Sequence, residues 1–64
     1  MKITMPDGEL KGKSVDSILL EVLLDDLDIS MSEVLVVRNS EVIPEDCILD
    51  DDDEIRIIQV VFGG

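Results

Sequence analysis

Residues 54–64 read EIRIIQVVFGG. In an extended chain the pleat puts Ile55, Ile57, Gln59 and Val61 on one side, and Arg56, Ile58, Val60 and Phe62 on the other. Both sides are largely apolar. A strand of this kind, running from Glu54 to about Val61, belongs in the middle of a sheet with a neighbour on each edge. In a chain of 64 residues a single helix has room to cover only one of its faces. The other face is expected to stay open as an apolar patch.

Upstream, the chain supplies the partners such a strand needs. KITM is a short β-type run, and the PDG that follows is turn chemistry: Pro6 presets φ and Gly8 accepts a positive one. A hairpin follows, with ELKGK as its polar second strand. Ser14 is placed to N-cap a helix with Asp16 in its first turn. Val15, Ile18, Leu19, Val22 and Leu23 then recur at helical spacing, and Leu20, Leu24 and Leu27 widen the stripe. The spacing predicts a helix from Val15 to about Leu27, with DISMS as its exit loop. EVLVVRNSEVI reads as two strands reversing at Asn39-Ser40, where Asn tolerates the left-handed conformation. Pro44 ends the second of them by removing a backbone donor. From PEDCIL into DDDDE a loop is expected, held in solvent by mutual repulsion among Asp50, Asp51, Asp52, Asp53 and Glu54. The order β-β-α-β-β-β predicts an α+β roll: a mixed sheet of four to five strands curled around one helix, the first and last strands adjacent and parallel.

Composition narrows what such a domain can do. Hydrophobic residues make up 45% of the chain with Phe62 as the lone aromatic, which suits an aliphatic core. The formal charge of −11 disfavours nucleic acid and anionic membrane as partners and makes a basic protein partner the natural complement. Histidine is absent, removing the usual general base and the commonest metal ligand. The acidic run lacks the alternating ligands and central glycine of a calcium loop, so no metal site is expected. Cys47 is the only cysteine and has nothing nearby in sequence to activate it; a structural or incidental role is expected. Without a signal peptide or a bilayer-length apolar run, the chain reads as cytoplasmic, and as a monomer when free.

From VLVVRNSEVIPEDCI through DDDDEIRIIQVVFGG the sequence resembles the ubiquitin-like β-grasp sulfur carriers. These include the thiamine-pathway carrier ThiS, the small archaeal modifiers, the eukaryotic ubiquitin-related modifiers and, more distantly, the small subunit of molybdopterin synthase. The shared marks are a strand pair closed by VIP, an acidic segment, an aliphatic last strand and a Gly-Gly end. The last strand lacks the prolines of the molybdopterin subunit. Its QVVxGG end is similar to the thiamine carrier, and VIPED fits the modifier branch equally well.

The resemblance implies a ubiquitin-like β-grasp domain over residues 1–62 and a flexible tail at 63–64. It implies that the protein is a carrier without catalytic residues of its own. The Gly64 carboxylate would be adenylated by an activating enzyme that uses ATP, then converted by a sulfur donor into a thiocarboxylate. The sulfur would pass to a synthase in thiazole formation or to a tRNA thiolase, with no cofactor bound to the carrier itself. Gly63, lacking a Cβ, would let the tail thread a narrow channel. Val36, Arg56, Ile58, Val60 and Phe62 are the expected docking patch, with the acidic loop steering approach. Two other functions use the same fold: a modifier joined through Gly64 to lysines of other proteins, and a chemically inert binding module. Removing both glycines separates the inert module, which would keep its function, from the other two.

Overall fold

The computed structural model describes residues 1–60. Within them run β1 (Lys2–Thr4), β2 (Leu10–Gly12), β3 (Ser17–Leu19), α1 (Leu20–Asp26), a 3-10 turn (Met31–Glu33), β4 (Val34–Arg38), β5 (Glu41–Ile43), β6 (Ile48–Asp50) and β7 (Glu54–Gln59). Five strands form one sheet in the order β2-β1-β7-β4-β5, and β3 pairs with β6 in a separate two-stranded sheet. β7 is central, as its two apolar faces require: parallel to β1 and antiparallel to β4. Val61 of the expected last strand, Phe62 and the Gly63-Gly64 tail lie outside the described residues.

Both reversals form where turn chemistry placed them. Gly8 takes φ 90°, and its N–H donates to the Met5 carbonyl at 2.9 Å. Asp7 Oδ1 accepts from the Glu9 N–H at 2.9 Å, the local side-chain turn that Asp favours. At the second reversal Asn39 and Ser40 both adopt positive φ, 54° and 67°. That combination matches the right-handed twist of the flanking strands. The two-residue turn sets the register, pairing Arg38 with Glu41, Val37 with Val42 and Val36 with Ile43.

The helix departs from the periodicity reading. It begins at Leu20 rather than Val15, and Ser14 does not cap it; its N-cap is Leu19, extended at φ −69° and ψ 141° with no side-chain cap bond. Its first two N–H groups are satisfied by a distant segment instead. Leu20 donates to the Cys47 carbonyl at 2.9 Å and Glu21 to the Glu45 carbonyl at 3.0 Å. The residues before it, Ser17–Leu19, become a strand because Ile48–Asp50, expected as loop, offers them an edge. Ile18 and Leu20 satisfy a period of two as well as one of 3.6, so a short stretch there is ambiguous until a partner appears.

The helix ends in a Schellman arrangement. Asp28 sits in the left-handed region at φ 59°, its N–H donating to the Asp25 carbonyl (3.1 Å) and that of Ile29 to the Leu24 carbonyl (2.9 Å). Ile29 thereby folds back onto the core. The core is aliphatic throughout: Ile3, Leu23, Leu24, Val36, Leu49 and Ile57 are each 1% exposed or less, and no polar side chain among the described residues is buried with them. Full burial of one such side chain stabilises the fold by roughly 1.5–3 kcal/mol.

The acidic run is more organised than repulsion alone predicts. Asp50, Asp51, Asp52 and Glu54 are exposed, but Asp53 is half-buried. Its Oδ2 accepts from the Asp50 N–H at 2.8 Å and from the Arg38 guanidinium at 3.3 Å, which also donates to the Ile48 carbonyl at 3.2 Å. Arg38 and Asp53 thus tie the end of β4 to the β6–β7 turn. Asp51 Oδ1 accepts from the Val15 N–H at 3.1 Å, securing the segment that precedes β3. This bond, helped by the Met1 α-amino group 3.4 Å away, lowers the Asp51 carboxyl from its ordinary value.

Asp28→Gly relieves a strained non-glycine residue and removes a negative charge from the negative end of the helix. It is expected to raise stability by about 1 kcal/mol, seen as a higher urea midpoint at unchanged slope. For Asp51, a carboxyl held below 3.8 in the fold contributes stability above that pH and loses it as the pH falls through the folded value. The stability advantage of wild type over Asp51→Asn should therefore be flat near neutrality and close below pH 3.8 in urea titrations run across pH.

Candidate functional site

The candidate site is the sheet face turned away from α1, and the pleat of β7 builds it. Ile55 and Ile57 point into the core at 3% and 1% exposure, which forces Arg56 and Ile58 outward. Register then brings neighbours alongside. Arg56 lies between Thr4 of β1 and Val37 of β4, and Val37 lies beside Val42 of β5. Ile58 is paired with Leu35. On the far edge Thr4 is paired with Leu10 of β2. Leu10, Leu35, Val42 and Ile58 are all exposed, so the open apolar face expected from the last strand is present.

Of the expected docking residues, Arg56 and Ile58 are on this face. Val36 is not: it is fully buried, paired with Ile57 and packed in the core. The apolar run VLVV carries no alternation from which its inward positions can be read. Register with β7 decides the matter, turning Val34 and Val36 inward and Leu35 and Val37 outward. Val60 is half-buried just past β7, its N–H donating to the Glu33 carbonyl at 2.8 Å. Phe62, Gly63 and Gly64 lie outside the described residues. Leu10, Leu35, Val37 and Val42 escaped the sequence reading. The Asn39-Ser40 turn signals that Val37 pairs with Val42, yet both hairpin pairs are aliphatic, and only the position of the helix tells them apart.

Two shallow hollows flank Arg56. One, of ≈ 300 Å³, is lined by Lys2, Thr4, Val37, Asn39, Ser40 and Glu54 together with Arg56. The other, of ≈ 410 Å³, is lined by Thr4, Met5, Pro6, Ile58 and Gln59 with Arg56 again on its wall. Cys47 is elsewhere, half-buried against the core, where its carbonyl serves the start of α1. What the open face provides is apolar area, shape and a guanidinium, the equipment of a binding surface.

The profile of the ThiS family matches residues 7–64, from the first turn through Gly64. The chain belongs to the ThiS family of β-grasp sulfur carriers. Its fold is similar to the crystal structure of the thiamine biosynthesis protein ThiS of Geobacter metallireducens, with a TM-score of 0.69 and 24% identity over 100% of each chain. No curated protein matches the chain. The likeness supports the ubiquitin-like β-grasp fold, and ThiS proteins are small carriers rather than catalysts. Among the described residues no helix is long and apolar enough to cross a membrane.

The corrected assignment of β4 is open to direct measurement. Val36→Ala should lower stability by about 2 kcal/mol, since it empties two methyl volumes from a closed core. Leu35→Ala, on the open face, should stay within about 0.5 kcal/mol of wild type in the same urea titration.

Proposed function

We propose that this chain is a sulfur carrier of thiamine biosynthesis whose working group is the main-chain carboxylate of Gly64. The observation that carries this reading is a family match that runs through Gly63 and Gly64 on an otherwise non-catalytic domain. A carboxylate is a poor electrophile and must first be activated. A partner enzyme would supply ATP: a carboxylate oxygen attacks the α-phosphorus and pyrophosphate leaves, giving an acyl adenylate. The terminal sulfur of a persulfide then attacks the acyl carbon and AMP departs. A thiol cleaves the resulting S–S bond and leaves the thiocarboxylate, which passes its sulfur to the accepting synthase.

In this reading residues 1–62 are a handle and Gly63-Gly64 the reacting tail. The handle has two tasks. It presents the open face, with Arg56, Ile58, Leu35 and Val37, to the activating enzyme. It also delivers Gly64 to the adenylating centre. From Gln59 an extended chain reaches Gly64 in at most about 18 Å, so that centre must lie within this distance of the docked sheet. Selection by shape matters because the chain has sixteen acidic side chains competing with one main-chain carboxylate. Two residues without Cβ atoms pass where no side-chain carboxylate can follow.

Incubation with ATP, an activating enzyme and a persulfide donor should replace one oxygen by sulfur, read by intact mass. Deleting Gly63 and Gly64 should abolish the change while the circular dichroism spectrum stays that of the folded protein, and Gly63→Ala should slow it. Failure to gain sulfur from an enzyme and donor shown to be active on another carrier would overturn the reading.

A further inference from the structure

The overall charge of −11 suggests a basic partner, but the open face has a local sign of its own. Lys2 and Glu54 share that face and are paired, Nζ to Oε1 at 4.0 Å. Arg38 and Lys13 are engaged elsewhere, by Asp53 and Asp26. Arg56 has no hydrogen bond or ion pair with any described residue, although the chain has sixteen acids. It stands between Thr4 and Val37, with Leu35 and Ile58 exposed at 43% and 42% one step along the same face. The two hollows on either side of it leave the guanidinium as a ridge between concavities.

From this arrangement we infer that Arg56 sets the charge specificity of the open face, and that the activating enzyme docking there presents an aspartate or glutamate within an apolar surface. The inference rests on the sulfur-carrier reading for the identity of the partner. Its physics is desolvation. A partner that seals the apolar face must also cover Arg56, and a guanidinium removed from water without an anion destabilises the complex. A carboxylate accepts two parallel N–H bonds from the guanidinium fork and removes that penalty. A basic surface drawn in by the acidic loop and helix meets like charge at the centre and is rejected. The acidic periphery therefore governs the rate of encounter and Arg56 the choice of partner.

The test uses the full-length chain and the activating enzyme encoded in the same genome. Dissociation constants and ATP–pyrophosphate exchange are measured for wild type, Arg56→Lys, Arg56→Gln and Arg56→Glu. Arg56→Glu should weaken binding on the order of 30-fold or more, with Arg56→Gln intermediate and Arg56→Lys the mildest, the loss appearing in KM. Replacing the opposing carboxylate of the enzyme by lysine should restore binding of Arg56→Glu. Because Arg56 is exposed, all variants should keep the wild-type amide spectrum, and Arg56→Gln serves if charge reversal unfolds the chain. Arg56→Glu and Arg56→Gln both within about threefold of wild type would overturn the inference. Wild type that binds without supporting exchange would count against the sulfur-carrier reading and leave the Arg56 comparison intact; no binding by wild type overturns both.

Discussion

The structure depends on β7 being hydrogen-bonded along both edges, to β1 on one side and β4 on the other. A strand held this way cannot slip by one residue without turning Ile55 and Ile57 out of the core and Arg56 into it. The first strand is recruited from the opposite end of the chain, so the sheet closes over nearly the full sequence. α1 then packs its Leu20, Leu23 and Leu24 against one face, and no further element among the described residues covers the other. The open face is a consequence of that shortage.

The proposed function draws on the same geometry. The strand that organises the core also carries the exposed Arg56 and Ile58. Membership in the ThiS family makes the chain a sulfur carrier. In the proposed carrier role, a five-stranded sheet with one uncovered side would give the activating enzyme a surface to hold.

The elements hardest to read from sequence are those that exist only because something distant completes them. β3 and β6 are three residues each and neither forms without the other. The helix start moved from Val15 to Leu20 because the carbonyls of Glu45 and Cys47 took over the capping that Ser14 was placed to provide. The acidic run, a repelling segment by composition, contains Asp53, whose lone pairs are claimed by the Asp50 N–H and Arg38. In each case a backbone or guanidinium donor from elsewhere decides the outcome, and such donors have no signature in a local window.

By itself the sequence determined the central last strand, the two turns at Gly8 and Asn39-Ser40, the five strands of the main sheet and the presence of an open apolar side. These are dictated by local chemistry: side-chain polarity along a pleat, positive φ, the missing donor of Pro44. Only tertiary structure decided which β4 residues reach that side, exchanging Val36 for Leu35 and Val37, and which cation on it has no partner among the described residues. In an unbroken aliphatic run every residue is equally content to be buried, so the choice of face belongs to the strand beside it and the helix beneath.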